Sequence, residues 1–397
     1  MPKLISSLAN TGFNDAHAGE NSSEKIRVRL FDSNSQIRVR KVADPETEWL
    51  VRCKDGKIQV VPIRHEKSNH SAANGTSAGG AARVPASFNA ASPLVIHSKS
   101  KLVEVEFKQY RDTVKIYSDG DLCHVINELS VEDYLGSLVN SEFSSKWNEE
   151  AVAAQVIAAR TYAVFQKAEA RKRNKIYDLD STINDQVYDG SGKENEKSTS
   201  IVRKTRGLIL VPKNSVGPQP IKAFYHSTCG GRTELPEVVW GKKYPGFKKS
   251  VECPYCKSSP VLHWELEMEL SEIQTILEKA GAITPLLQFG RLVDVRVGPR
   301  SKTNRIPYLI SVWETDGKFE EVKVPAARFR TWIGPTRLKS TSFDVTKTGS
   351  MIRFEGQGNG HGVGLCQWGA KVMGEKGYKM GDILKHYYPD ATLRKIW

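Results

Sequence analysis

SVEDYLGSLVNSEFSSKWNEEAVAAQVIAARTYAVFQKAEARK, residues 130–172, decides the fold class, because it interrupts a strand-rich chain with two helices. SVEDYLGSLVN has helical spacing, and after a break at SSKWN the run from Glu149 to Lys172 predicts a second, longer helix. Asn148 is suited to be its N-cap, with Glu149 and Glu150 favourable in the first turn. The many alanines of this helix would let another element approach it closely.

Short runs that alternate apolar with polar residues surround these helices and predict β-strands. Four of them lie between residues 25 and 64, and three more, KLVEVEF, TVKIYSD and LCHVINEL, come just before Ser130. Others follow the long helix, among them GLILVP, IKAFYHS and HWELEMEL. The predicted class is therefore α+β: a mainly β-rich core with inserted helices and a small N-terminal sheet.

Composition divides the chain into four parts. Residues 1–24 are polar and predict a flexible N-terminal segment, whereas residues 25–64 predict a small β-rich part. Residues 65–96 are rich in Ser, Ala and Gly and too poor in large apolar side chains to pack, so they predict an exposed insertion or linker. Residues 97–397 form the main core.

The bulk composition is that of a globular protein, with 397 residues of which 39% are hydrophobic and 26% charged. A net charge of +13 favours a polyanionic partner: nucleic acid, an anionic membrane surface or an acidic cell-wall polymer. Nucleic acid is the weakest of these, because the lysines and arginines are spread along the chain and no RNP-like pattern or helix-turn-helix is found. We expect no nucleic-acid partner.

Membrane and export signals give a separate expectation. No run approaches the roughly 18 apolar residues that a membrane helix needs, so no transmembrane segment is expected in this chain. The N-terminal residues lack the apolar centre of a secretory signal. If the protein is exported, its signal peptide is absent from this sequence.

HSTCGG and ECPYC predict a local metal site. They place His226 and Cys229 three residues apart, and Cys253 and Cys256 three residues apart. Three thiolates and one imidazole would make a closed tetrahedral zinc site, with His263 as the rival for the fourth ligand. A disulfide or a redox Cys-x-x-Cys at the last two cysteines is the alternative. The other cysteines, Cys53, Cys123 and Cys366, are isolated in the sequence.

Glu142 is a candidate catalytic carboxylate. It lies where the first helix ends and is flanked by Phe143 and Trp147, and a carboxylate among aromatic side chains can have its pKa raised by desolvation. A general acid at a glycosidic oxygen requires such a pKa. The alternative is an ordinary solvated glutamate at a helix end.

Two further segments have the composition of binding loops. GQGNGHGVGLCQWGA, residues 356–370, surrounds His361 with glycines that allow positive φ or close approach of a ligand. A phosphate-binding loop is the competitor, but the Walker Lys-Ser/Thr ending is missing and a dinucleotide fingerprint fits only in part. NDQVYDG, residues 184–190, could hydrogen-bond sugar hydroxyls or be a surface turn.

The order of these segments resembles the SpoIID family, stage II sporulation protein D and the related amidase enhancers. The resemblance runs from about Lys101 to the C-terminus, and more loosely back to Lys25. Its matching stretches are ELSVEDYLGSLVNSEF, EEAVAAQVIAARTYA, DQVYDG, TRGLIL, IKAFYHSTCGGRTE, FKKSV, GQGNGHGVGLCQWGA and HYYPDATL. On this basis residues 97–397 are expected to be a SpoIID-like catalytic core.

The resemblance implies a peptidoglycan lytic transglycosylase in which the family's essential glutamate falls on Glu142. Its substrate-binding positions fall on Arg160, Gln186, Tyr188, Ser227, Lys249, His361 and Gln367. Some members hold zinc through His and Cys ligands, which agrees with the structural zinc site already predicted at His226, Cys229, Cys253 and Cys256. Two departures matter: Cys366 stands where many members have serine, and GFKKSV stands where many have a PYLKSV-like run.

The implied reaction cleaves the bond between MurNAc and GlcNAc, on glycan strands stripped of peptide. Glu142 would protonate the glycosidic oxygen and then, as a carboxylate, remove the proton of the C6 hydroxyl, which closes a 1,6-anhydro-MurNAc end. The expected partners are glycan strands and an N-acetylmuramoyl-L-alanine amidase. The expected location is extracytoplasmic, in the periplasm or cell wall.

Two alternatives stay open. A muramidase would hydrolyse the same bond, and an inverting one would need a second carboxylate roughly 6.5–9.5 Å from Glu142, for which Asp185 and Asp189 are candidates. A non-catalytic glycan-binding protein that enhances an amidase is the other, since the related enhancers share these motifs.

Overall fold

The computed structural model describes residues 24–64, 88–282 and 290–397. The chain divides into two compact units. The first comprises Met1–Ser145, Gln166–Arg206 and Trp397, and the second comprises Lys146–Phe165 and Gly207–Ile396. Most of the predicted segment 1–24 and residues 65–87 of the predicted insertion lie outside the described residues.

A nine-stranded sheet forms the first unit. Its order is β5-β4-β3-β2-β6-β7-β8-β1-β9, with every neighbouring pair antiparallel except β1 and β9. Strands from before and after residues 65–87 therefore join in one sheet. The strands are β1 Lys25–Ser33, β2 Ile37–Lys41, β3 Asp44–Lys54, β4 Lys57–Arg64, β5 Phe88–Ala90, β6 Leu94–Val105, β7 Lys108–Asp119, β8 Leu122–Ser130 and β9 Leu179–Asp180.

The alternating sequence of these strands buries one face of the sheet. In β1, Ile26 and Val28 have no exposed surface, whereas Arg27 between them is partly exposed. The sheet also curls, because β3 contacts β7 and β8 although β2 and β6 lie between them in the strand order. A disulfide between Cys53 of β3 and Cys123 of β8 fixes this curl. The two cysteines that looked isolated in the sequence are thus a pair.

Helices follow β8 directly, as the sequence predicted. Helix α1 begins where the Ser130 hydroxyl accepts a 3.0 Å hydrogen bond from the Asp133 N–H, so Ser130 is its N-cap. Asn148 caps α2 by accepting from the Glu150 N–H at 2.9 Å. The bounds are α1 Val131–Glu142, α2 Glu149–Lys172 and α3 Glu196–Lys204, with a short 3₁₀ turn at Ser191–Lys193.

Among the described residues, smaller sheets, the first part of α2 and five further helices form the second unit. The strands are β10 Leu208–Pro212, β11 Tyr225–His226, β12 His263–Glu269, β13 Arg291–Val297, β14 Tyr308–Thr315, β15 Lys318–Pro325, β16 Phe343–Thr348, β17 Met351–Gln357, β18 Leu365–Cys366 and β19 Ala391–Lys395. They pair as β10-β19, β11-β18, β12-β17-β16 and β13-β14-β15. The helices are α4 Pro236–Trp240, α5 Leu270–Lys279, α6 Ala326–Ile333, α7 Gln367–Glu375 and α8 Met380–Tyr387.

Small side chains let α7 pack closely against the start of α2. A Cβ atom built at Gly374 of α7 would lie 3.1 Å from the Ala151 Cβ and 2.9 Å from the Asn148 Oδ1. Ala154 and Ala158 of α2 have no exposed surface and belong to the same apolar cluster as the residues of α7 and α8. The alanine-rich helix thus allows the close approach that its sequence predicted.

The predicted α+β class is confirmed by the large mixed sheet and the inserted helices. Across residues 24–64, 88–282 and 290–397, none of the helices has the length and apolar character required to span a membrane.

Removing the disulfide tests the curl of the sheet. Cys53 and Cys123 are 70 residues apart, so C53A/C123A is expected to lose about 2–4 kcal/mol of unfolding free energy, because the cross-link restricts the unfolded chain. Urea unfolding followed by circular dichroism measures this. Protein unfolded without reductant should present four reactive thiols, and a count of six would contradict the pairing.

Candidate functional site

Glu142 is the last residue of α1, and its side chain is partly buried. The backbone N–H of Val187 donates a hydrogen bond to its Oε1. Burial raises the pKa of Glu142 to about 7, because a carboxylate loses more hydration than a neutral carboxyl, and the Val187 N–H opposes this rise by favouring the ionised form. The carboxyl can therefore both give and take a proton near neutral pH.

The segment around Val187 is held by the side chains on either side of it. Tyr134 of α1 donates from its hydroxyl to the Gln186 Oε1 at 3.0 Å, and the Tyr188 hydroxyl donates to the Asn127 Oδ1 at 2.8 Å. Gln186 is 0% exposed and Tyr188 is 3% exposed. Their hydrogen bonds hold the backbone that presents the Val187 N–H to the carboxyl. That either residue binds substrate stays a prediction.

The two candidate second carboxylates are engaged elsewhere in the first unit. Asp185 accepts hydrogen bonds from the Asp180 N–H at 2.9 Å and from the Gln166 amide. Asp189 forms an exposed 3.0 Å ion pair with Lys108. Each carboxylate thus has protein partners of its own.

Four buried cysteines converge in the second unit. The Sγ atoms of Cys229, Cys253, Cys256 and Cys366 all lie within 4.8 Å of one another, with 3.5 Å between those of Cys229 and Cys256. Hydrogen bonds from Cys229 lower the pKa of the Cys253 and Cys256 thiols. Four sulfur donors this close together match the ligand set of a closed tetrahedral metal site. The cluster could hold a metal ion.

The fourth side chain of this cluster is Cys366, where the sequence predicted His226. Parallel pairing of β11 with β18 sets His226 opposite Cys366 and lets the Cys229 N–H donate to the Cys366 Sγ at 3.3 Å. The imidazole of His226 is directed away, with Nδ1 3.1 Å from the Val363 carbonyl. His263, the rival ligand, is exposed on β12. Strand pairing, which local spacing does not reveal, brings Cys366 to the other three.

Two neutral histidines lie close together: His361 in the glycine-rich segment and His226 in β11. Burial lowers the pKa of His226 to about 3 and that of His361 well below its ordinary value. His361 Nδ1 accepts from the Val363 N–H at 3.0 Å, so its proton lies on Nε2. The two rings are 5.5 Å apart between centroids. Val363 thus orients both histidines through its N–H and its carbonyl.

Glycines let this segment pass through crowded space. Gly362 and Gly364 have positive φ, and a Cβ atom at Gly364 would lie 2.0 Å from the Phe224 carbonyl oxygen. A Cβ atom at Gly362 would lie 2.5 Å from the Arg305 Cζ. The predicted positive φ and close approach are both found here, but the close neighbours are protein atoms.

Sequence reading missed an aromatic cluster beside His361. Trp240 stacks on Phe224 with ring centroids 4.6 Å apart, lies 5.1 Å from the His361 ring, and is 41% exposed. The Lys222 Nζ lies 5.2 Å from the Phe224 centroid and 5.6 Å from that of Tyr244. The signal was present in VVWGKKYPGF, which places three aromatic residues and two lysines within eight positions.

The remaining predicted substrate-binding residues differ in exposure. Arg160 is fully buried and donates to the Leu208 carbonyl at 3.3 Å. Gln367, the first residue of α7, is buried. Ser227, which directly follows β11, is partly buried. Lys249 is exposed and lines a groove of about 480 Å³. Glu142, Gln186 and Tyr188 belong to the first unit, and the others belong to the second.

Known proteins match this chain over most of its length. The family model of the stage II sporulation protein, SpoIID, matches residues 119–211, and a domain of unknown function matches residues 254–364. An uncharacterized protein of Brachyspira hyodysenteriae is 32% identical over 70% of this chain and 71% of its own length.

Two named relatives are also similar. Stage II sporulation protein D of Bacillus amyloliquefaciens is 30% identical over 74% of this chain and 82% of its own length. The amidase enhancer of Bacillus subtilis is 28% identical over 75% of this chain, which spans only 46% of the enhancer.

Replacing Glu142 by Gln tests the raised pKa. The unfolded chain loses this proton near 4.5 and the native protein near 7, so native stability falls as pH rises through that interval. E142Q is expected to melt at a higher temperature than wild type at pH 8, with the difference vanishing towards pH 4. Calorimetry across this pH range measures it.

Glu150 provides the matched control. The Met380 N–H lowers the pKa of Glu150, so its ionised form stabilises the native state above the unfolded pKa. E150Q should therefore be less stable than wild type at pH 8 and approach it as the pH falls. Equal shifts in both variants would contradict the assignment at Glu142.

Proposed function

This chain belongs to the stage II sporulation protein D family, and from that membership we propose that it is a lytic transglycosylase of peptidoglycan. It cleaves the bond between MurNAc and GlcNAc on strands stripped of peptide and leaves 1,6-anhydro-MurNAc ends. The observation that carries this proposal is the Glu142 carboxyl, whose pKa is raised to about 7 by burial.

One carboxyl is enough for this reaction. Protonated Glu142 gives its proton to the glycosidic oxygen as the bond to the anomeric carbon breaks. The resulting carboxylate, which the Val187 N–H stabilises, then removes the proton of the C6 hydroxyl while that oxygen bonds to the anomeric carbon. Glu142 ends protonated again, so no water is consumed.

The second unit carries features that suit a glycan. The exposed face of Trp240 can stack on a sugar ring, and the partly exposed ring of His361 lies 5.1 Å from it. Cationic Lys249 and the net charge of +13 attract the lactyl carboxylates of MurNAc. We propose that these residues bind the strand.

Zinc is the metal that the four-cysteine cluster would hold. Cys229, Cys253, Cys256 and Cys366 form an all-sulfur donor set typical of structural zinc sites. Bound zinc would cross-link the segments that carry the four cysteines. It would not act as a Lewis acid on a substrate, since four protein ligands leave no open position. The cysteines would then fix the segment that follows β11, the 3₁₀ turn Pro254–Ser258 and the end of β18 to one another.

The proposed location is extracytoplasmic, and the proposed partner besides glycan is an amidase. A disulfide between Cys53 and Cys123 is typical of oxidising compartments, which supports the location. The name of the Bacillus subtilis relative, amidase enhancer, supports the partner.

Product analysis of digested cell-wall sacculi tests the reaction. Wild type is expected to release anhydro-MurNAc ends, and E142Q to release none, because the proposed proton donor is removed. Mass spectrometry of the released fragments measures both. D189N is the matched control, since Asp189 is a carboxylate of the same unit that pairs with Lys108, and it should act as wild type.

Other outcomes separate the rival functions. Reducing ends from wild type, together with loss of activity in D189N, would identify a hydrolase. If wild type and E142Q release the same fragments, Glu142 is not the proton donor and the proposed mechanism fails. If neither releases any while both bind glycan, the chain is a non-catalytic binding protein.

Metal analysis tests the cluster. Purified wild type is expected to contain one zinc per chain by mass spectrometry, and C366S to lose it, because three thiolates no longer close the tetrahedron. H226Q should keep its zinc. Loss of zinc in H226Q with retention in C366S would restore His226 as the fourth ligand. Zinc-free wild type with a Cys253–Cys256 disulfide would rule out the site.

A further inference from the structure

The connection between β13 and β14 is a compact loop within residues 254–364, the segment that matches a domain of unknown function. It closes on itself through the Ser301 N–H, which donates to the Arg305 carbonyl at 2.7 Å, and the Asn304 N–H, which donates to the Ser301 carbonyl at 3.1 Å. These bonds fix the backbone from which the Arg305 side chain projects.

Arg305 carries its guanidinium into the interior of the second unit. It is 1% exposed, and Nη2 donates to the Cys229 carbonyl at 3.0 Å while Nη1 donates to the Gly360 carbonyl at 3.3 Å. The Thr341 hydroxyl lies 3.5 Å from Nη1. Burying an ionised group costs several kcal/mol unless its surroundings compensate. The hydrogen bonds that compensate the buried guanidinium are therefore expected to matter for the segments they contact.

The two carbonyls belong to the two segments that build the candidate site in this unit. Cys229 supplies one thiol of the cluster, and Gly360 directly precedes His361. At Gly362, on the other side of His361, the guanidinium lies so near the backbone that a Cβ atom would be 2.5 Å from Cζ. Arg305 thus contacts the chain on both sides of His361.

A second contact attaches the same loop to the same segment. The hydroxyls of Ser301 and Thr303 both donate to the Glu234 Oε2, the first at 2.6 Å. Glu234 in turn donates its N–H to the Gly362 carbonyl at 2.8 Å. The loop is therefore attached to the glycine-rich segment at two points, once through a cation and once through a buried carboxylate.

We propose that Arg305 is a positioning residue that fixes the His361 segment against the Cys229 loop. The β13–β14 hairpin of the segment of unknown function is the element that delivers it. This role does not depend on glycan cleavage, since it concerns the geometry of residues 358–364 alone.

Hydrogen exchange in the full-length protein tests this role. The Val363 N–H, which donates to His361 Nδ1, reports on the segment. In R305M the exchange of residues 358–366 is expected to be about tenfold faster or more, because two hydrogen bonds from a charged donor are lost. R305K keeps the charge with a single donor group and should restore part of the protection. A shifted NMR signal of the His361 ring should accompany the faster exchange.

Arg300 is the matched control, because it lies in the same connection but donates to the Phe343 carbonyl at 2.9 Å and to the Asn304 carbonyl at 3.2 Å, not to the carbonyls that Arg305 contacts. R300M should exchange as wild type in residues 358–366. Unchanged exchange in R305M, or equal acceleration in R300M, would overturn the proposal.

A second variant covers the case in which R305M fails to fold. S301A/T303V removes the hydroxyls that bind Glu234 and leaves the guanidinium in place. It is expected to accelerate exchange in the same residues by a smaller factor. If R305M is unfolded and this variant exchanges as wild type, the hairpin does not position the segment.

Discussion

The parallel pairing of β11 with β18, only two residues long, joins the two segments that build the candidate site of the second unit. The pairing joins segments that are 137 residues apart where Cys229 meets Cys366. It brings the fourth thiol to the cluster, and it sets His226 and His361 on either side of Val363. A pairing of two residues is weak alone, and the hydrogen bonds of His226, Cys229 and His361 add to it.

Opposed forces set the character of Glu142 in the first unit. Burial favours the neutral acid, whereas the Val187 N–H favours the carboxylate, and the balance leaves the pKa near 7. The hydrogen bonds of Gln186 and Tyr188 maintain that balance, since they fix the backbone that carries the N–H. The hydrogen bonds of two buried side chains can therefore determine how an acid behaves.

Local sequence signals predicted what local interactions determine. The strands, the helix cap at Asn148 and the positive φ of the glycine-rich segment all follow from neighbouring residues. The same signals could not find the Cys53–Cys123 pair or the place of Cys366, because both result from strand pairing between distant segments. Family resemblance pointed to Gln186 and Tyr188 but could not show that they are buried.

The placement of the six cysteines bears on how the chain can mature. Cys53 and Cys123 both precede Cys229 in the sequence, so a chain that emerges from its N-terminus presents the pair destined for oxidation before any thiol of the cluster. The later four cysteines then meet as reduced neighbours in another unit. The position of the cysteines along the chain thereby keeps two kinds of sulfur chemistry apart in a single polypeptide.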